Sequence, residues 1–117
     1  MFGIPEIDSR ELARILAESP DSIQLVDVRT PQEMAQGMIA GADRVPLHLV
    51  PLRADEWVRD SRPMVIYCRS GARSAQACAF LAARGGERQF INLRGGIIDW
   101  VRQGLPLSTA PVDAALG

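Results

Sequence analysis

The sequence contains no lysine and very little cysteine or histidine. All 13 basic residues among the 117 are therefore arginines, which excludes a lysine nucleophile or Schiff base. The two cysteines, Cys68 and Cys78, are too few for a disulfide framework, and a reducing compartment suits them better. The single histidine, His48, has no other metal-ligating residues near it in the sequence. We therefore expect no bound metal.

Long apolar runs and an excess of one charge are also missing. No apolar run approaches the roughly 20 residues that span a bilayer, and the N-terminus lacks the basic flank and apolar core of a signal peptide. We therefore expect a cytoplasmic protein with no membrane partner. The net charge is −1, from 13 basic and 14 acidic residues, which argues against a nucleic-acid partner.

The overall composition is that of an ordinary globular domain. Apolar residues make up 47% of the chain and charged residues 23%, so neither disorder nor a fibrous repeat is indicated. The length suits one domain and is too short for two. We place this domain at residues 1–108, and the small, weakly patterned residues 109–117 form a predicted loose C-terminal tail.

Short apolar runs alternate with helix-like patterns along the chain. Extended segments or strands are predicted at 4–7, 23–28, 41–46, 64–66 and 89–93. Helices are predicted at 8–18, 30–37, 47–60, 75–83 and 95–104. The third is either one helix or two helical turns interrupted at Pro51. This alternation predicts an α/β fold with a mostly parallel central sheet of about five strands and helices on both faces. In such sheets ligands bind at the carboxyl ends of the strands.

Two helix starts carry capping signals, and the helices carry apolar faces. Asp8 with Glu11, and Thr30 with Glu33, have the spacing of a capping box, and Pro31 follows Thr30 at the first helical position. Core contacts are expected from the apolar residues of the third and last helices, namely Leu52, Trp57, Val58, Ile97, Trp100 and Val101.

Cys68 stands where a predicted strand passes into a helix, in the segment 67–74, Tyr-Cys-Arg-Ser-Gly-Ala-Arg-Ser. Free N–H groups and the macrodipole at a helix N-terminus stabilise anions, and Arg69 and Arg73 strengthen the positive field. The pattern predicts a thiol whose pKa lies below the free value of about 8.5. The alternative is a buried structural thiol, which we disfavour because this loop is too polar for a dry site.

The chain resembles a single-domain rhodanese, a sulfurtransferase, in four motifs. They occur at 26–33 (Val-Asp-Val-Arg-Thr-Pro-Gln-Glu), 41–46, 68–74 and 93–97, the last followed by Trp100 and Gly104. Together they cover about residues 5–107 in the order and spacing of the family, which makes the resemblance specific. One departure is Met38, which stands where the family usually has a histidine.

The resemblance implies sulfur transfer through a persulfide on Cys68. The donor would be a small molecule such as thiosulfate, and the acceptor a thiol, cyanide or a protein. The persulfide cradle would be the rest of the loop: Arg69, Ser70, Gly71, Ala72, Arg73 and Ser74. Gly71 lets the loop curl so that N–H groups point inward, and the two arginines are candidate oxyanion binders. The family implies no metal and no organic cofactor.

Two other function classes remain open. Cysteine-dependent phosphatases and arsenate reductases use a similar loop that is one residue longer, and Ser74 stands where a tyrosine phosphatase has its phosphate-clamping arginine. Phosphatase activity therefore ranks well behind sulfur transfer. Rhodanese-like domains also serve as persulfide relays or as interaction modules that lack the cysteine. The presence of Cys68 argues against an inert module but does not separate a relay from an enzyme.

Four further residues have weaker assignments. Asp27 and Arg29 lie at the end of a predicted strand and are expected to support the rim of the site by pairing with local backbone or with Glu33. Cys78 lies well inside a predicted helix, where packing is favoured over a resolving-thiol role. For His48 we favour a loop or helix-start position over a substrate contact.

Overall fold

Five short strands and five α-helices alternate along residues 3–109, which are the residues that the computed structural model describes. The strands are β1 (Glu6–Ile7), β2 (Gln24–Asp27), β3 (Asp43–Arg44), β4 (Met64–Tyr67) and β5 (Phe90–Leu93). The helices are α1 (Ser9–Glu18), α2 (Pro31–Ala35), α3 (Val50–Trp57), α4 (Ala72–Ala82) and α5 (Gly96–Arg102). Single 3-10 turns occur at Pro20–Ser22 and Leu47–Leu49.

The strands form one sheet in the order β1-β5-β4-β2-β3. All four neighbouring pairs are parallel, which confirms the predicted sheet. β4 is the central strand, and its last residue, Tyr67, is opposite Asp27 of β2, while Ile66 is opposite Asn92 of β5. The residues that follow β4 therefore lie between those that follow β2 and β5 at one edge of the sheet.

The central strand is buried on both faces, as its unbroken apolar sequence predicts. One face packs against α3 and α4 in a cluster that includes Trp57, Met64, Ile66, Cys68 and Leu81. The other face packs against α1 and α5 in a cluster that includes Leu12, Val65, Tyr67, Leu93 and Trp100. Helices therefore cover both faces, as expected.

The capping signals place the first two helices correctly. Asp8 accepts a hydrogen bond from the N–H of Glu11 at 2.8 Å and begins α1. Thr30 and Glu33 form a complete capping box at the start of α2. A local side-chain pattern is enough to predict these starts because every hydrogen bond involved joins residues three apart.

Two predicted core residues are exposed, and of the two alternatives for the third helix the structure shows no interruption at Pro51. Leu52 is 79% exposed because α3 is one helix with Pro51 in its first turn, and its buried residues are Val50, Ala54 and Trp57. Leu52 lies about 200° around the helix from Val50. Val101 is 50% exposed, since α5 buries its other face.

The chain beyond α5 pairs with the segment that follows α2. The N–H of Met38 donates to the carbonyl of Ser108 at 2.9 Å, in an isolated antiparallel bridge. Met38, which replaces the family histidine, is 6% exposed. The predicted tail at 109–117 lies, apart from Thr109, outside the described residues. Within residues 3–109 no helix has the length and apolarity needed to cross a membrane.

Candidate active site

Cys68 follows directly after β4, and its sulfur lies in a ring of hydrogen-bond donors. The N–H of Gly71 lies 3.1 Å from Sγ, the N–H of Ser74 lies 3.4 Å away, and the Ser74 hydroxyl also lies 3.4 Å away. The residue is 1% exposed, so few water molecules compete with these donors. The arrangement is suited to holding negative charge on sulfur.

Two opposing effects set the pKa of the Cys68 thiol. Burial raises the pKa because it disfavours the charged form. Hydrogen bonds from the Ser74 hydroxyl and from the N–H groups of Ser74, Gly71 and Ser70 lower it, and they prevail. The pKa of Cys68 therefore lies below its ordinary value, as the sequence predicts for a thiol at a strand-to-helix junction.

The second cysteine has the opposite environment. Cys78 lies inside α4 and is fully buried in the apolar cluster on that face. Burial, with a smaller contribution from the charge of Cys68, raises the pKa of Cys78 to about 12. The expectation that Cys78 serves packing agrees with this environment, because a protonated buried thiol is a poor nucleophile.

Gly71 allows the loop to turn its N–H groups inward. Its φ of 110° lies in the left-handed region, and it is the N-cap of α4. The helix begins at Ala72, three residues before the predicted start at Ala75, because the N–H of Ala75 already donates to the Gly71 carbonyl at 3.1 Å. Ser74 thus belongs to the first helical turn, which places its N–H 3.4 Å from the sulfur.

The start of α5 supports the loop from its other side. The N–H groups of Ile97 and Ile98 donate to the carbonyls of Cys68 and Arg69 at 3.0 and 3.1 Å. Gly96 makes this close approach possible, since a Cβ there would collide with the Arg69 carbonyl and lie 2.7 Å from that of Cys68. Sequence reasoning assigned Gly96 only a place in a family motif and a helix start.

Asp27 and Arg29 pair with each other at the neighbouring end of β2. The Arg29 Nη2 donates to Asp27 Oδ2 at 2.8 Å and to the Gly37 carbonyl at 2.6 Å, and Nη1 donates to the Glu33 carbonyl at 3.3 Å. Asp27 is fully buried and Arg29 is 5% exposed. Arg29 thereby joins the end of β2 to the middle of α2, at Glu33, and to Gly37 just beyond it.

Arg73 is held by Glu33 of α2. Two of its guanidinium nitrogens donate to the two Glu33 oxygens at 2.8 and 2.9 Å. The hydrogen bonds from Arg73 lower the pKa of Glu33 to about 2. Hydrogen bonds from Thr30 lower it as well, whereas burial raises it. The sequence predicted Glu33 as a capping residue and possible partner of Asp27 or Arg29, and Arg73 as an oxyanion binder. It contains no signal for a contact between residues 40 positions apart.

Arg69 has a different setting from Arg73. It is exposed, and its side chain makes no hydrogen bond or ion pair with the part of the chain that the structure describes. It lines a groove of about 440 Å³ beside the loop, together with Ile98, Val101, Arg102 and Leu107. The neighbouring loop residue Ser70 is also exposed. Arg69 is therefore available to an anionic ligand.

Asn92 of β5 is a site residue that the sequence analysis missed. Its Oδ1 lies 2.5 Å from the Ser74 hydroxyl oxygen, and its Nδ2 donates to the Gly71 carbonyl at 3.3 Å. Asn92 is 4% exposed and Ser74 is fully buried. A polar residue inside an otherwise apolar strand was the only available signal.

His48, Trp57 and Trp100 make no hydrogen bond to the Cys68 sulfur. His48 is exposed in the second 3-10 turn, and Trp57 and Trp100 are buried at 2% and 3% exposure on opposite faces of the sheet. Among residues 3–109, no three His, Cys, Asp or Glu side chains are grouped so that they could hold a metal ion.

The chain matches the family model of the rhodanese-like domain over residues 8–103. It belongs to the rhodanese-like family. A sulfurtransferase of Allochromatium vinosum is 56% identical over 104 residues, which cover 89% of this chain and 94% of that protein. The sequence resemblance is thereby confirmed.

Two solved structures share the rhodanese-like fold. A rhodanese-like domain protein from Staphylococcus aureus has a TM-score of 0.76 at 32% identity, with 90% of this chain and 99% of that one covered. A thiosulfate sulfurtransferase from Pseudomonas aeruginosa has a TM-score of 0.75 at 27% identity, with 90% of this chain and 19% of that one covered. The sheet and the helices that cover it are therefore those of this fold.

Proposed function

We propose that the protein is an enzyme that transfers sulfane sulfur from an anionic donor such as thiosulfate through a persulfide on Cys68. The observation that carries this proposal is the sulfur of Cys68, which accepts hydrogen bonds from Gly71 and Ser74 inside a loop too short for a phosphatase. Such a cradle stabilises both a thiolate nucleophile and a persulfide anion.

The reaction has two displacements on sulfur. In the first, the Cys68 thiolate attacks the outer sulfur of thiosulfate, an S–S bond to Cys68 forms, and the donor S–S bond breaks to release sulfite with its electron pair. In the second, an acceptor thiolate or cyanide attacks the outer sulfur of the persulfide. This step yields an acceptor persulfide or thiocyanate and regenerates the Cys68 thiolate. Neither step needs an external oxidant or reductant.

Arg69 and Arg73 contribute differently to this proposal. The guanidinium of Arg69 is exposed at the mouth of the loop, where it can pair with the sulfonate-like oxygens of the donor. Arg73 gives two of its N–H groups to Glu33, so its main contribution is to hold the loop against α2. Donor recognition therefore depends more on Arg69.

The acceptor approaches from the exposed side of the loop. Ser70 and Ala72 are exposed there, and the groove beside Arg69 has room for a thiol or for a protein side chain. We place this activity in the cytoplasm, because a reducing compartment keeps a catalytic thiol available for reaction.

The test compares sulfite release from thiosulfate in the presence of cyanide for the wild type, Cys68→Ser and Cys78→Ser. We expect equal sulfite and thiocyanate from the wild type and from Cys78→Ser, and neither from Cys68→Ser. Faster turnover of an aryl phosphate than of thiosulfate would favour the phosphatase instead. Loading of Cys68 by a protein persulfide without any turnover of thiosulfate would indicate a relay.

A further inference from the structure

The hydroxyl of Ser74 has one proton and three acceptors within reach. Asn92 Oδ1 lies 2.5 Å from Oγ, the Gly71 carbonyl lies 3.2 Å away, and the Cys68 sulfur lies 3.4 Å away. A hydroxyl donates one hydrogen bond at a time. The three acceptors therefore compete, and the contact with Asn92 is the shortest.

The amide of Asn92 is held in the orientation that makes it an acceptor for Ser74. Its Nδ2 donates to the Gly71 carbonyl at 3.3 Å, so an exchange of its N and O atoms would bring two acceptors together. Asn92 is 4% exposed, which leaves little water to relieve that conflict. The side chain thus fixes Gly71 with one end and takes the Ser74 proton with the other.

We propose that Asn92 is a positioning residue that competes with the Cys68 sulfur for the hydroxyl proton of Ser74. While Cys68 is a neutral thiol, the Ser74 hydroxyl donates to Asn92. When the thiolate forms, the hydroxyl turns to the charged sulfur, because a charged acceptor makes the stronger hydrogen bond. After sulfur transfer the charge lies on the outer sulfur, and the hydroxyl returns to Asn92.

This arrangement limits how much the hydrogen bond from Ser74 stabilises the Cys68 thiolate. Each ionisation of Cys68 costs the short hydrogen bond to Asn92, so the sulfur stays more basic than its donors alone would make it. A more basic thiolate is a better nucleophile once formed. The inference rests on the proposed function only in taking Cys68 as the reacting thiol.

Other charged groups around Cys68 are unaffected by a change at Asn92. The titratable groups coupled to the sulfur by charge are Arg73 and Cys78, both on α4. Glu33 of α2 is neutralised by Arg73. From α5, the N–H groups of Ile97 and Ile98 bond the loop, and the charged Arg102 lines the groove beside Arg69. Asn92 can therefore shift the pKa of Cys68 by two routes, through the Ser74 hydroxyl or through its bond to Gly71, whose N–H donates to the sulfur. Only the first route is lost when Ser74 is replaced with alanine.

The test is a double-mutant cycle on the pKa of Cys68, measured from the pH dependence of iodoacetamide alkylation in a Cys78→Ser background. Asn92→Leu keeps the shape of the side chain and removes both amide groups. We expect it to lower the pKa by about one unit, and Ser74→Ala to raise it by a similar amount. In the Ser74→Ala background Asn92→Leu should no longer lower the pKa, and loss of its bond to Gly71 leaves at most a small rise. A higher pKa in Asn92→Leu, or the same shift in both backgrounds, overturns the proposal.

Asn92→Asp keeps the cycle informative if the leucine variant does not fold. Its carboxylate holds the Ser74 proton more strongly, so the pKa of Cys68 should rise, and part of that rise should disappear in the Ser74→Ala background. An identical rise in both backgrounds contradicts the proposal. Alkylation uses no sulfur donor, so these results are independent of whether thiosulfate loads Cys68.

Discussion

Glu33 and Arg73 form a two-pronged ion pair, at 2.8 and 2.9 Å, that ties the first turn of α2 to the loop around Cys68. The same Glu33 oxygen that accepts from Arg73 also accepts from the backbone N–H of Thr30 at 2.9 Å. One carboxylate thus completes a capping box and fixes the position of a loop arginine. The geometry of the cradle depends on a residue that does not touch the sulfur.

Replacement of Glu33 with glutamine should lower both stability and loop order. We expect a loss of about 1 kcal/mol in the free energy of unfolding, because the pair is partly exposed to solvent. The pKa of Glu33 is about 2 in the folded protein against an ordinary value of 4.5. The contribution of this pair is therefore present above pH 4.5 and lost as the pH falls from there towards 2. Urea unfolding across this pH range measures it.

The matched control is Glu56→Gln, which removes the partner of Arg53 on the exposed side of α3. Because both side chains of that pair are more exposed than Glu33 and Arg73, its effect on the free energy of unfolding should be smaller than that of Glu33→Gln. An equal loss in the free energy of unfolding for the two variants would show that Glu33 stabilises the protein no more than an exposed surface pair does.

Substitutions of Arg69 and Arg73 should have different effects, the first on donor binding and the second on stability. Removal of the Arg69 guanidinium by alanine should raise KM for thiosulfate about tenfold without changing the melting temperature, since the side chain has no partner within residues 3–109. Arg73→Ala should lower the melting temperature because it releases Glu33. Arg59→Ala, beyond the end of α3 and away from the loop, is the control for lost positive charge. A larger KM effect for Arg73 than for Arg69 would contradict these roles.

Gly71→Ala should lower the reactivity of the Cys68 thiol in addition to lowering the stability of the protein. A Cβ at Gly71 meets only ordinary contacts, but its φ of 110° is strained for alanine, at about 1 to 2 kcal/mol. Relaxation of that strain moves the Gly71 N–H away from the sulfur, so the pKa of Cys68 should rise. Gly85→Ala is a matched control, because Gly85 has a φ of 89° with open space around it. We expect the two variants to have similar melting temperatures, with slower alkylation of Cys68 in Gly71→Ala only. Equal alkylation rates would contradict the role of the Gly71 N–H in stabilising the thiolate.

The two cysteines should differ strongly in reactivity in the native protein. At neutral pH iodoacetamide should modify Cys68 and leave Cys78 intact, because the pKa of Cys68 is lowered and that of Cys78 is raised to about 12. Peptide mass spectrometry after short labelling measures the two sites separately. Comparable labelling of both thiols without denaturant would contradict the environments described for them.

The parts of the fold that depend on near neighbours could be predicted from the sequence. The caps at Asp8 and Thr30 and the buried strand before Cys68 follow from patterns a few residues long. The resemblance to the family then indicated that the loop after this strand is that of a sulfurtransferase. The exposed positions of Leu52 and Val101 were missed because helical spacing gives an apolar face but does not say how far the neighbouring elements cover it.

The contacts that complete the site could not be predicted in this way. Asn92 reaches Ser74 across 18 residues, and Glu33 reaches Arg73 across 40. Both contacts depend on the strand order β5-β4-β2, which brings the ends of three separate strands together. The need for glycine at Gly96 likewise arises only when α5 packs against the Cys68 carbonyl.

The central claim is that Cys68 carries the transferred sulfur, and intact-mass spectrometry after incubation with thiosulfate tests it most directly. The wild type and Cys78→Ser should each gain the mass of one sulfur atom, and this mass should disappear on addition of cyanide or a thiol. Cys68→Ser should gain nothing. A wild type that stays unmodified, or added sulfur that persists in Cys68→Ser, would contradict the account.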